Sequence, residues 1–145
     1  MTVRDEVRKM LETKIAASRD WLLRQESQRR RNESNFERLR PVLLEIIDEI
    51  GSEHLQARTD HNPAVIEIGT RRDGGFQAYS QLEVFCVFEG FNTKLTSFVI
   101  ENRLPDRKWF AETVEDACQQ IADALTENVA ILVALEDRNS PEGST

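Results

Sequence analysis

The alternation of apolar and polar positions is strongest between Phe76 and Phe88. The even positions in this stretch are apolar or small, whereas the odd positions up to Glu83 are mostly polar. A period of two is typical of a strand with one buried face. From Val84 to Phe88 five apolar residues follow one another, which predicts that the strand is covered on both faces near its end. We expect Val84, Cys86 and Phe88 to be buried and the helices to pack on this sheet.

Apolar residues at helical spacing predict helices before the sheet. The first set has a spacing of three and four residues, has Trp21 at its edge, and consists of Val3, Val7, Met10, Leu11, Ile15, Ser18 and Leu22. It fits core packing and a coiled-coil seam equally well. The second set runs from Phe36 to Ile50 and is followed by Gly51, which favours a C-terminal cap. Pro41 predicts a kink, unless it is the first helical residue.

No apolar residue occurs between Arg24 and Asn35, which separates the two sets. Because a segment that is polar on every side cannot be held by packing, it is either a solvated helical bridge or the connection of a helical hairpin. Ser34 and Glu37 match a capping box, which favours a break in the helix there.

Three or four antiparallel strands are predicted within residues 63–112, after a polar connection over 52–62. The strand before the alternating one spans 64–68, and the one after it runs from Leu95 to Glu101. Residues 107–112 form a candidate fourth strand, whose basic residues would protect a sheet edge.

The register of the first hairpin follows from keeping its apolar residues on one face. Pairing Ile66 with Leu82 meets this condition, and it requires a three-residue loop that joins Arg72 to Phe76. We therefore expect a three-residue turn with one glycine in the left-handed conformation.

The last helix is predicted over 113–137, with Thr113 and Asp116 resembling its N-cap. Residues 129–135 are wholly apolar and fit a strand as well, although the unbroken helical spacing favours a helix. The tail 138–145 is expected to be disordered. The prediction is thus a single α+β domain over 1–137: a helical region 1–50 (long helix or helical hairpin), an antiparallel meander of three to four strands over 63–112, and an amphipathic C-terminal helix.

Composition narrows the class of protein. The chain has 145 residues, 31% of them charged and 39% hydrophobic, which suits one soluble domain. No apolar run approaches the ~18 residues of a membrane span, and the N-terminal residues lack the apolar region of a signal peptide. Two cysteines in apolar surroundings do not make a disulfide framework. We expect a cytoplasmic protein without a membrane contact.

The net charge of −7 is unevenly distributed. Residues 1–60 hold 12 basic and 12 acidic groups, whereas residues 61–145 hold 7 basic and 14 acidic groups. Within the first part, residues 24–40 carry six arginines against three glutamates, a local excess of +3. We interpret these arginines as candidate partner-binding residues, because guanidinium groups contact carboxylate or phosphate in a bidentate manner. A solvated helical face is the alternative. The set, termed the arginine run below, is Arg24, Arg29, Arg30, Arg31, Arg38 and Arg40.

Other chemistry is weakly indicated. His54 and His61 lie near Glu53 and Asp60, but their seven-residue spacing matches no metal motif, and a solvated loop explains them. Cys86 and the other cysteine, in the last helix, are expected to be buried small hydrophobes. No cofactor or metal is predicted.

The sequence favours a non-enzymatic protein–protein interaction or oligomerisation module, a small cytosolic accessory subunit or adaptor. The reason is an excess of apolar surface, which a sheet this small does not obviously bury alone. The partner is expected to be a protein, either another copy of the chain in a homo-oligomer or a different one. The alternative is a nucleic-acid-contacting accessory protein that uses the arginine run, which the acidic net charge disfavours. A metal-dependent enzyme at His54 and His61 is a third interpretation.

Overall fold

The computed structural model describes residues 2–87, 89–98 and 106–139. The elements in chain order are α1 (Val3–Ile50), β1 (Leu55–Arg58), β2 (Ala64–Arg72), β3 (Gly75–Val87), β4 (Gly90–Ser97), β5 (Arg107–Ala111) and α2 (Val114–Asn139). The α+β class is therefore confirmed, with a long N-terminal helix, an antiparallel sheet and a C-terminal helix.

The sheet is a meander of five strands in the order β1-β2-β3-β4-β5, each antiparallel to the next. The predicted count of three to four is wrong because of β1, which lies inside the expected polar connection. Only Leu55 of its four residues is buried, so the strand is too short and too polar for a two-residue period to show in the sequence. The edge strand expected at 107–112 is present as β5.

The register of the β2–β3 hairpin is confirmed, but its turn is not the expected one. Ile66 pairs with Leu82, as predicted. The loop has two residues rather than three, since Arg72 pairs with Gly75, and Gly74, the second loop residue, has the positive φ of 93° typical of that position in a type II turn.

A β-bulge reconciles the short turn with the apolar register. The pairing shifts between Ile68, which faces Ser80, and Gly69, which faces Ala78, so that Tyr79 is the extra residue. A Cβ atom at Gly69 would overlap the carbonyl oxygen of Gln77. Glycine at this position thus permits the close approach of the two strands at the bulge.

The next hairpin is tighter than expected. Val87 pairs with Gly90, so β4 begins at Gly90 rather than at Leu95 and ends at Ser97. The remainder of the strand expected up to residue 101 lies outside the described residues.

Helix α1 is unbroken from Val3 to Ile50, 48 residues, so the helical-hairpin alternative is wrong and the solvated bridge is correct. At 1.5 Å per residue it is about 72 Å long. Gly51 caps it, with φ of 95° and its N–H donating to the Ile47 carbonyl, as predicted. Pro41 lies inside the helix, and the bend expected there stays a prediction.

Helix α2 begins after Thr113, whose side-chain oxygen accepts from the backbone N–H of Asp116 at 3.1 Å, which confirms the N-cap. Residues 129–135 are helical. The helix extends to Asn139, two residues past the expected end, and residues 140–145 lie outside the described part of the chain. In the described residues, neither helix is both long and apolar enough to cross a membrane.

The core lies between one face of the sheet and the two helices, because the C-terminal part of α1 contacts β3 and α2, and α2 contacts β2, β4 and β5. Val84 and Cys86 are buried as expected, whereas Phe88 lies outside the described residues. The expectation that this strand is covered on both faces is wrong, since Phe85 is 37% exposed. The buried apolar residues are Phe36, Leu39, Leu43, Leu55, Ala64, Ile66, Ile68, Leu82, Val84, Cys86, Phe91, Leu95, Ala111, Ala117, Ile121, Ala124, Leu125 and Leu132.

Candidate interaction surface

The N-terminal part of α1 stands clear of the domain. Every residue from Thr2 to Arg31 is exposed; the first half-buried residue is Asn32 and the first buried one is Phe36. We call residues 2–31 the arm. Its length, about 43 Å from Val3 to Arg31 at 1.5 Å per residue, is comparable to the longest strand of the sheet.

The arm is stabilised as a helix without tertiary packing. The hydroxyl oxygen of Thr2 accepts from the backbone N–H of Asp5 at 3.3 Å, and acidic residues occupy the first turn, where they complement the helix dipole. Ion pairs one turn apart link Asp20 to Arg24 (3.0 Å) and Glu26 to Arg30 (3.3 Å). Each such pair contributes about 0.3–0.5 kcal/mol, which adds to the good helix propensity of the segment.

One face of the arm is apolar and uncovered. Its large apolar side chains are between 41% and 76% exposed, and no other described residue packs over them. We call this face the arm stripe; its apolar members are Val3, Val7, Met10, Leu11, Ile15, Trp21 and Leu22. Of the two interpretations that the sequence left open for these residues, packing in the core of their own domain is wrong. A patch of this kind usually marks an interaction site in a soluble protein.

The arm stripe lies on the same side of α1 as the residues that pack on the sheet. Val3 precedes the buried Leu39 by 36 residues, and both lie before Pro41. Since 36 residues make ten turns at 3.6 residues per turn, the two lie on one line of a straight helix. The arm stripe therefore extends the core-facing side of α1 beyond the sheet.

The arginine run does not form one face. Arg24, Arg31 and Arg38 are seven residues apart and lie close to one line of the helix, whereas Arg29 and Arg40 lie on another. The structure thus separates the six predicted residues into two lines and a lone Arg30.

Four arginines of the run are close to carboxylates of their own chain. Arg24 and Arg30 form the pairs given above, Arg29 is 3.4 Å from Glu33, and Arg40 is 3.9 Å from Asp60. All four pairs are largely exposed, so they hold the side chains only weakly.

The two histidines are not brought together. His54 is buried; its Nδ1 donates to the carbonyl oxygen of Gly69 at 3.0 Å, and its Nε2 lies 3.5 Å from Oε2 of Glu136. His61 is exposed and lines a polar groove beside Arg29 and Arg40. Within the described residues, no group of three or more histidine, cysteine or acidic side chains is placed to hold a metal ion. His54 thus connects Gly69 of β2, opposite the bulge, to the last turns of α2.

Sequence reasoning missed a second exposed apolar group on the sheet. Phe85 faces Asn92 of β4, which faces Phe110 of β5, and the two phenylalanines are 37% and 48% exposed. They lie on the face opposite the helices. The run of apolar residues around Phe85 predicts burial, and no pattern in the sequence marks this face of the sheet as open.

The comparisons with known proteins give no match: no protein-family model, no curated protein and no solved structure resembles this chain closely enough to assign a family.

Proposed function

We propose that this protein is a non-enzymatic interaction and oligomerisation module, an accessory subunit that binds its partner through the arm stripe. The single observation that carries the proposal is the stretch of exposed helix with an apolar face. The sheet, α2 and residues 32–50 of α1 form the body from which this helix projects.

The exposed area of the arm stripe supports an interface of ordinary size. Weighted by their exposed fractions, the seven apolar side chains offer roughly 700 Å², close to the ~800 Å² that each partner contributes to a typical specific interface. The residues are also the types that anchor interfaces, since Trp21 and Met10 provide large or adaptable contact surfaces.

The helix would otherwise be poorly stabilised at its apolar positions. A helix that is not packed gains nothing from its apolar residues, and most helical stability in proteins comes from packing of an amphipathic face. Covering the arm stripe supplies that packing.

We further propose that the arginine run contacts acidic groups of a partner. An exposed pair contributes only ~0.2–1 kcal/mol, so these contacts would set orientation more than affinity. They should weaken as salt rises, because exposed charges are screened.

Two adjacent leucines give a matched test. Leu22 lies in the arm stripe and is 58% exposed, whereas Leu23 points away from it and is 70% exposed. We expect Leu22→Gln to weaken association, measured as solution mass by light scattering over a wide concentration range and as capture of a partner from a native lysate. Leu23→Gln should leave both unchanged. Equal behaviour of the two variants would contradict the role of the stripe.

A further inference from the structure

We propose that the arm stripe is covered by the arm of a second copy of this chain, and that the two arms pair in antiparallel orientation with Val3 of one opposite Leu22 of the other. The inference rests on the proposed function and specifies its partner. It makes the homo-oligomer a dimer with one body at each end.

The spacing of the arm stripe is self-complementary when reversed. In an antiparallel pair, residues whose numbers add up to 25 lie opposite each other. Val3 then faces Leu22, Val7 faces Ser18, and Met10 faces Ile15. Each of these layers contains at least one apolar residue, and the large Leu22 meets the smaller Val3. A two-fold axis between residues 12 and 13 relates the two arms, as in an isologous interface.

Two charged residues lie within this seam: Lys14 faces Leu11, and Arg4 faces Trp21. A lysine stem can cover an apolar neighbour while its ammonium group reaches solvent. The guanidinium group of Arg4 can likewise stack on the Trp21 ring, and polar residues in a seam favour one register over its alternatives.

The position of the domain argues against a parallel pair of straight arms. The arm stripe and the core-facing residues lie on one side of α1, as the ten-turn offset of Val3 and Leu39 indicates. In a parallel pair the second helix would run on along that side and meet the sheet. In an antiparallel pair the second helix ends opposite Leu22, at its own first helical residue, Val3, which Thr2 caps.

The polar stretch of α1 begins where this pairing ends. Beyond Leu23 no partner helix lies alongside, and residues 24–31 are polar and exposed. The pairing thus accounts for the place where the apolar stripe stops, and it leaves the arginine run outside the paired segment.

Area and charge both fit a second copy. Two arm stripes in contact would bury on the order of 1,400 Å², within the ~1,200–2,000 Å² of specific interfaces. Residues 2–23 hold five basic and four acidic groups, so the paired segments are nearly neutral. The rest of the chain carries −8, from −7 minus +1, and in this arrangement the acidic bodies lie far beyond the ~8–10 Å range of screened charges.

Disulfide trapping tests the orientation in the full chain. In a Cys118→Ser background, where only the buried Cys86 remains, Val3→Cys and Leu22→Cys chains are mixed and oxidised. We expect the mixed disulfide to form at least about tenfold more than either homodisulfide, because only opposed residues reach the Cα separation of a disulfide. Leu23→Cys, off the seam, should cross-link with neither.

The outcomes separate this inference from the proposed function. The Val3→Cys chain and the Leu22→Cys chain could instead each form homodisulfides while the mass is that of a dimer. That result overturns the antiparallel arrangement and leaves the interaction module intact. A mass of 16.7 kDa at every concentration overturns the second copy as occupant. If capture of another protein then depends on Leu22 and not on Leu23, the module survives; if nothing depends on Leu22, both proposals fail.

Discussion

At the residue scale, burial rather than a neighbouring reactive group determines the chemistry of the Cys86 thiol. Cys86 is 1% exposed on the helix-facing side of β3, and burial raises the pKa of its thiol from 9.0 to about 12. Its neighbour in the fold is the Asn62 side chain, which donates to the Cys86 carbonyl at 2.8 Å and accepts from its N–H at 2.9 Å. The Asn62 side-chain amide therefore makes the two backbone hydrogen bonds that a neighbouring strand would otherwise make. Sequence patterns do not reveal this contact.

The raised pKa predicts both reactivity and pH dependence for Cys86. The thiolate is the reactive form, so we expect Cys86 to resist iodoacetamide at pH 8, while Cys118, which is partly exposed, reacts first. Because the pKa is higher in the folded chain, the stabilising contribution of the protonated thiol is complete below pH 9 and is lost as the pH rises towards 12. Mass spectrometry of labelled peptides checks the first expectation, and denaturant unfolding of Cys86→Ala against the parent between pH 8 and 11 checks the second. Rapid labelling of Cys86 in the folded chain would contradict its burial.

Gly69 is the second residue whose role is local. A side chain there meets the backbone of Gln77 at the bulge, so Gly69→Ala should lower the free energy of unfolding by about 2 kcal/mol or more, through overpacking and backbone displacement. The control is Thr70→Ala in the same strand, where the hydroxyl has no hydrogen-bond partner and the loss should stay within about 1 kcal/mol. Chemical denaturation of both variants measures the difference. Equal stability of the two variants would show that β2 and β3 can move apart at the bulge without a loss of folding free energy.

At the element scale, apolar periodicity predicted which segments are helices, but local signals misplaced two boundaries. The capping-box residues Ser34 and Glu37 indicated a break that does not exist, because Phe36 and Leu39 pack on the sheet and hold the helix through this point. The bulge at Tyr79 hid the true turn length, since an extra residue within β3 compensates for a shorter loop. Both errors come from tertiary contacts that a single segment does not encode. The arm stripe was identified correctly in sequence, and only the structure shows that nothing in the described domain covers it.

The arginine run gives an element-scale prediction. Replacing Arg29, Arg30 and Arg31 together by Gln should leave the dimeric mass unchanged, because these residues lie beyond the paired part of the arm. The control, with the same loss of charge, replaces Arg8, Lys9 and Arg19 by Gln, none of which faces an arm-stripe residue in the proposed pairing, and it should also leave the mass unchanged. Light scattering gives the mass, and retention on DNA and RNA at low salt gives the nucleic-acid affinity. Retention of the parent that falls steeply with salt and disappears in the first variant would favour a nucleic-acid function.

At the scale of the whole molecule, the proposed dimer is a rod. The two Ile50 residues would be separated by 75 residue positions along the common axis, which is roughly 110 Å at 1.5 Å per residue. Each body adds its own width at the ends. The predicted shape thus differs from that of a parallel dimer, in which both bodies lie together.

Small-angle X-ray scattering tests this shape directly. We expect a mass of twice 16.7 kDa and a maximum dimension above about 110 Å, the length of the shared helical axis. Leu22→Gln should reduce the mass and the maximum dimension together, whereas Leu23→Gln should change neither. A dimeric mass with a maximum dimension near that of α1 alone, about 72 Å, would exclude the extended arrangement.

The uninterrupted course of α1 has a geometric consequence. One helix carries both the arm stripe and the core-facing residues. The number of residues between them therefore fixes the angle, measured around the helix axis, between the arm stripe and the core-facing side, at about 100° per residue. Lengthening the polar stretch 24–31 by two residues would rotate each body by about 200° around the common axis and leave the seam intact, whereas lengthening it by seven would return the body to within about 20° of its original direction. The polar segment, which makes no packing contact of its own, would then act as a spacer whose length sets the relative rotation of two distant sheets around the common axis.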